Sequence, residues 1–242
     1  MEIYLYNLRN KEYFNRNQLF EEMNRCGLQV SASNFKAVLQ KLLDGGDIVR
    51  VGRNAYCVAG IEIKKYSHSY SDVASDVAKV IENNFPYLVF SIFELTQLNV
   101  FVNHQIAHNV IFLSVEGDLG DFVFDKLKEQ YPGKVLINPS VNIYSQYWTE
   151  DMIVIEKLVT EAPMGTEIKW HTRIEKMLVD LFCDPIQKEA YSVSELKTIL
   201  EDAFAQFAVD ESCMFRYAKR RGASDNLKNY INKNTNIRLR VG

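Results

Sequence analysis

The sequence predicts an α/β protein, with an N-terminal winged helix-turn-helix followed by a mixed sheet-and-helix domain that ends in a helical bundle. Three observations predict it. Residues 15–58 run as helix, turn, helix and a two-stranded hairpin with a short tip. Residues 71–160 alternate helical patterns with short apolar runs, the order of an α/β sheet. From about Thr172 the pattern turns helical.

Taken in order, "NRNQLFEEMNRCG" reads as a helix with Asn15 as N-cap and Gly27 just past its end. Leu19, Phe20 and Met23 form its apolar face. "SASNFKAVLQKLLDGG" reads as a second helix, capped by Ser31 or Ser33. Phe35, Val38, Leu39, Leu42 and Leu43 recur at the spacing of a buried face, and Gly45-Gly46 stops it. Asp47–Val51 and Ala55–Val58 then form a hairpin around Gly52-Arg53-Asn54, where Gly52 is expected to supply the positive φ of the turn. Residues 61–70 read as a polar connector. The expected units are 1–60 and 66–242.

In the second unit "SDVASDVAKVIENNF" is a helix capped by Ser71. "YLVFSIFEL" is apolar and of either type. "NVIFLSVE", "KVLIN" and "DMIVIEKLV" read as strands, and "DLGDFVFDKLKEQY" as a helix between the first two. "TRIEKMLVDLFC" places Ile174, Met177, Leu178 and Leu181 on one helix face. "SVSELKTILEDAFAQF" opens on Ser192 and Glu195, a capping-box pair. "DESCMFRYAKRRG" and "ASDNLKNYINKN" complete the bundle.

Composition narrows the class. Of 242 residues, 47% are hydrophobic and 24% charged, which suits folded domains able to bury a core. No apolar run approaches the roughly 18 residues of a membrane span, and the N-terminus lacks the pattern of a signal peptide. A cytoplasmic location with no membrane partner is expected. Cys26, Cys57, Cys183 and Cys213 are scattered and read as reduced thiols. The net charge of −3 does not mark the whole chain as a nucleic-acid binder. Charge is segregated, however. Residues 1–60 carry 8 Lys/Arg against 6 Asp/Glu, residues 61–160 carry 7 against 13, and residues 211–242 carry 8 against 2.

In a winged helix the second helix of the pair enters the major groove and the wing lies along the adjacent backbone. The positions left exposed on that helix are Ser33, Asn34, Lys36, Ala37, Gln40 and Lys41. Asn and Gln pair bidentately with adenine, and Lys reaches guanine or phosphate. Arg50, Arg53 and Asn54 on the hairpin are placed to grip phosphate. A homodimer would double the phosphate contacts and read two half-sites. The plainer reading is a protein-interaction module with a solvated helix face.

Three stretches carry a resemblance to a known family: "LFEEMNRCGLQVSASNFKAVLQKLLDGGDIVRVGRNAYCV", "EIKWHTRIEKMLVDLFCDP" and "MFRYAKRRGASDNLKNYI". They resemble the AbiEi-type antitoxins of type IV, or abortive-infection, toxin–antitoxin systems. The match lies in a winged helix ending in Gly-Arg-x-x-Tyr, a strand and helix of Glu-Arg/Lys-x-Leu-Val-Asp type, and a Tyr-Ala-x-Arg-Arg helix end. The resemblance implies a transcriptional autorepressor that binds double-stranded DNA of its own promoter. It also implies an antitoxin that counteracts a nucleotidyltransferase toxin by stoichiometric binding, without a cofactor and without enzymatic activity. It carries no catalytic residues over. Arg173, Lys176, Arg216, Lys219, Arg220 and Arg221 are basic positions in the C-terminal part. Arg216, Lys219, Arg220 and Arg221 are candidates for partner contact, whereas Lys176 is expected to solvate its helix face.

The alternative is a metal-dependent nuclease. Glu167-Ile-Lys169 fits the Glu-x-Lys half of such a site, with Asp151 upstream on a neighbouring strand, so that two carboxylates hold Mg²⁺. The tripeptide also arises by chance on edge strands. His104 and His108 sit four apart, a spacing that suits Zn²⁺, but the glutamate of His-Glu-x-x-His is missing. No metal is expected. Neither a phosphate-binding glycine loop nor a Gly-x-Ser-x-Gly turn is present.

Overall fold

The structure, a computed structural model, describes residues 2–11, 13–59, 65–102, 105–191 and 193–239. It is a mixed α/β fold with a four-stranded mixed sheet and a separate two-stranded hairpin. No helix among the described residues is long and apolar enough to cross a membrane.

The chain opens with a short helix, α1 (Ile3–Leu8), followed by α2 (Arg16–Arg25) and α3 (Ala32–Asp44). Asn15 caps α2 in a full capping box with Gln18, and Ser31, not Ser33, caps α3. Gly46 takes a φ of 73° directly after α3, in the left-handed region open to glycine. The hairpin is β1 (Ile48–Gly52) with β2 (Ala55–Val58). Its left-handed residue is Asn54, with φ 54°, and not Gly52 as the sequence suggested. Asn tolerates that region because its short polar side chain bonds locally. Here Asn54 Oδ1 accepts the Arg16 backbone N–H at 3.2 Å. Phe14 pairs with Tyr56 through two backbone hydrogen bonds of 2.7 and 2.9 Å, so the start of α2 lies against the hairpin. Phe14, Leu19, Met23, Phe35, Leu39, Leu42, Ile48 and Tyr56 form one apolar cluster beneath these elements.

Helix α4 (Asp72–Asn84) follows, capped by Ser71 as the sequence predicts. The sheet then forms from β3 (Phe90–Glu94), β4 (Val110–Val115), β5 (Val135–Ile137) and β6 (Met152–Lys157) in the order β3-β4-β6-β5. β3 runs antiparallel to β4, while β4, β6 and β5 are mutually parallel. Within the ambiguous run at 87–95, residues 90–94 form an edge strand. β4 is buried along its whole length because both faces of the sheet are covered. On one face Ile111, Leu113, Ile153 and Ile155 pack with α4 and with α5 (Gly120–Gln130). On the other, Phe112, Met152 and Val154 pack with α6 (Val141–Tyr147), α7 (Ile174–Cys183), α8 (Val193–Gln206), α9 (Glu211–Arg220) and α10 (Ser224–Asn234). α1 and α6 were not foreseen in the sequence.

The two ends of the chain meet. Asn7 Nδ2 and Arg25 Nη2 each donate to the Asn236 carbonyl at 2.7 Å. Arg238 lies 2.8 Å from the buried carboxylate of Glu22, which Arg25 and Asn7 also reach. Tyr6, on α1, joins the apolar cluster of the bundle.

Candidate functional site

The outer side of α3 and the hairpin carry an exposed polar surface. Ser33, Asn34, Lys36, Gln40, Lys41, Arg50, Arg53 and Asn54 are all exposed. The buried spacing of Phe35, Leu39 and Leu42 fixes which side of α3 turns outward. Some of these groups are engaged within the chain. Ser33 Oγ shares a hydrogen bond of 3.0 Å with Ser31 Oγ. Gln40 Nε2 donates to Asp44 Oδ1 at 2.8 Å, and Arg50 Nε donates to the Gly52 carbonyl at 3.2 Å.

Beside this surface, a cleft of about 610 Å³ opens between the start of α2, the start of α3 and the hairpin. Arg16, Arg50 and Arg53 line it, with Asn17 and Asn54. Phe20, Phe35 and Tyr56 supply its apolar wall. No carboxylate is among the described residues lining it. Three arginines thus line one concavity, with no acid among its described lining residues. Arg16 was not singled out in the sequence. Its place depends on the Phe14–Tyr56 pairing, a contact across 42 residues that no local pattern reveals.

The C-terminal basic residues are held differently. Arg216 and Arg220 both reach Glu161, Arg216 at 3.9 Å. Lys219 is exposed. Arg221 turns inward, 3.3 Å from Asp180 and 3.6 Å from Asp184. Burial lowers its pKa, but the charges of Asp180 and its neighbours outweigh that and raise it, so the guanidinium stays charged. Arg173 bonds Glu175 at 2.9 and 3.0 Å.

Lys176 overturns the expectation of a solvated helix face. It is buried, donating to Asp180 at 2.7 Å and to Ser114 Oγ at 3.1 Å. α7 is covered on all sides, so its polar residues are interior groups.

The nuclease arrangement is not formed. Glu167-Ile-Lys169 lies in a bend and turn, not on a strand, and Asp151 sits at the N-terminal end of β6. Asp151 and Glu167 line separate cavities. Among the described residues no group of three His, Cys, Asp or Glu could hold a metal ion. His104 lies outside the described residues. His108 is exposed and packs edge-on against Trp148.

A second concavity lies at the carboxyl ends of the parallel strands, where Glu156, at the end of β6, is the unusual group. Burial and, after it, the Asp184 charge push its carboxyl up to about 8. Sequence reasoning passed over it. The signal was present, since alternation along "MIVIEK" puts Glu156 on the same face as the buried Met152 and Val154.

A protein-family model matches residues 34–237, from within α3 to the segment after α10. It is described as a family of unknown function (DUF6577). The chain belongs to this family. In this DUF6577 protein the match takes in most of α3, the hairpin, the whole sheet and the bundle, while Arg16 precedes it. No curated protein matches the sequence. Among solved structures, the RV2827C protein from Mycobacterium tuberculosis is similar at a TM-score of 0.32 and 11% identity. The likeness covers 98% of this chain and 81% of that one.

Proposed function

We propose that this DUF6577 protein binds duplex DNA through α3 and the β1–β2 hairpin, used as a winged helix, and that it represses its own promoter. The observation that carries the reading is the cleft lined by Arg16, Arg50 and Arg53, with no carboxylate among its described lining residues. Phosphodiester is the ligand that matches uncompensated guanidinium groups, which pair with it bidentately. The cleft borders the exposed side of α3, so a backbone held there would bring base edges to Asn34, Lys36 and Gln40. In this reading residues 1–60 form the DNA-binding unit. Residues 66–242 form the antitoxin part, which answers a nucleotidyltransferase toxin by binding in the cytoplasm. The toxin role rests on the AbiEi resemblance, with Arg216, Lys219 and Arg220 as outward-facing contacts. No catalytic step is involved.

The test is fluorescence anisotropy with duplex DNA from upstream of the gene, titrated against salt and against a scrambled duplex. Binding that weakens with salt at a slope near −0.9 per phosphate contact is expected. Arg16→Ala and Arg53→Ala should each weaken binding to both duplexes and reduce that slope by about 1. Weak binding that is alike for both duplexes and unchanged in the two variants would refute the reading.

A further inference from the structure

The polar side chains at the carboxyl ends of the parallel strands include one carboxyl without a counter-charge. β4 is followed by α5 on one face of the sheet, and β5 by α6 on the other. The chain therefore parts at the ends of these strands. Ligand crevices of parallel sheets form at such points. Here two adjoining cavities, of about 500 and 300 Å³, share Asn138, Glu156 and Lys157.

The charges around Glu156 can be matched in pairs. From α7 and its C-terminal cap come Lys176, Asp180 and Asp184, and from α9 and its end come Tyr217 and Arg221. Lys176 pairs with Asp180, and Arg221 with Asp180 and Asp184, so two cations answer two carboxylates. Tyr217 donates to Asp180 at 2.8 Å. On the rim Lys157 pairs with Asp118 at 3.2 Å. Glu156 remains. Its Oε1 is sealed from solvent and has no hydrogen-bond partner among the described residues. Asp121, exposed in the first turn of α5, lines the same smaller cavity and is in no ion pair among the described residues. The larger cavity adds an apolar wall from Pro139, Val159 and Ile186.

We propose that this crevice binds a small organic cation, an amine or guanidinium compound with a short alkyl chain, whose charge answers Glu156 and Asp121. The alkyl part lies along the apolar wall. Without such a cation a proton supplies the missing charge on Glu156, in keeping with a carboxyl pushed up to about 8. Binding near neutral pH therefore releases that proton.

The test is calorimetric titration of the full chain with agmatine, with inorganic phosphate as the anionic control. Saturable agmatine binding at millimolar concentration or below is expected, with none for phosphate. Runs in two buffers of unlike ionisation enthalpy should show proton release at pH 7. Affinity should rise about tenfold from pH 7 to pH 9, as Glu156 ionises without the ligand's help. Glu156→Gln should abolish both the proton release and the pH dependence. The surface change Asp121→Asn, which leaves the interior untouched, should weaken binding severalfold. Absence of saturable binding by the wild-type chain, or unaltered binding and pH dependence in Glu156→Gln, would overturn the proposal.

Discussion

Lys176 and Asp180 meet at 2.7 Å inside the protein, one helical turn apart on α7, with both side chains almost wholly buried. A buried ion pair contributes little net stability over an apolar equivalent, but removing one partner leaves a charge in a poorly polarisable interior. Lys176→Met is therefore expected to destabilise the fold by about 3–5 kcal/mol. Urea unfolding followed by circular dichroism measures this. A loss below about 1 kcal/mol would mean that Arg221 alone compensates Asp180.

The pH dependence of stability should have two limbs. Glu22 and Glu94 are buried, which raises their pKa, but hydrogen bonds from Arg25 and Asn7 to Glu22 outweigh this. Those from His68, Ser71 and Asn109 do the same for Glu94. Both carboxyls are held below the ordinary value of 4.5. A lowered folded pKa gives stability that is full above the ordinary range and is lost as pH falls through the lowered value. Glu156 acts in the opposite sense. Its folded value, raised to about 8, favours the folded state while the group is protonated. That contribution is lost as pH climbs from the ordinary glutamate range toward 8, by at most about 1.4 kcal/mol per unit. Unfolding midpoints from pH 3 to 9 should pass through a maximum, and Glu156→Gln should flatten the alkaline limb alone. An alkaline limb that survives the substitution would place its source elsewhere.

Gln40 is tied to Asp44 at 2.8 Å on the exposed side of α3. In the proposed DNA-binding mode Gln40 would have to release that bond to reach a base edge, and Asp44 would add a negative charge near the phosphates. On that proposal Asp44→Ala is expected to tighten duplex binding severalfold and to sharpen discrimination at the base that Gln40 would read. Anisotropy titrations of the variant against the upstream and scrambled duplexes check both effects. Tighter binding with no change in discrimination would confine Asp44 to electrostatics.

Much of the fold was legible in local sequence. Asn15, Ser71 and the Ser31/Ser33 pair announced helix starts because a cap is a bond between near neighbours, and the structure makes the caps with Asn15, Ser31 and Ser71. The strands around Ile111 and Ile153 showed as apolar runs because both sheet faces are covered. What escaped was set at a distance. α1 is only six residues long, and its buried face is defined partly by the bundle against which Tyr6 packs. Lys176 reads as a surface residue in any helical pattern, and only the covering of all sides of α7 makes it interior. The exposed positions of α3 were readable from its apolar spacing, but the cleft beside them was not. It needs Arg16, which a backbone pairing between Phe14 and Tyr56 delivers.

The clasp between Asn7 and Asn236 also bears on the order in which the protein comes into being. These residues are 229 positions apart. At roughly 5–20 residues per second, a ribosome needs on the order of 10–50 s to travel between them. For that interval the first three helices and the hairpin exist without Arg238, which joins Arg25 and Asn7 at the Glu22 carboxylate. Their own apolar cluster around Leu19 and Phe35 can assemble meanwhile, since all its members lie within residues 4–58. Closure of the Glu22 site is thus a late event in biogenesis, reached only once the far end of the chain has emerged and folded back onto its beginning.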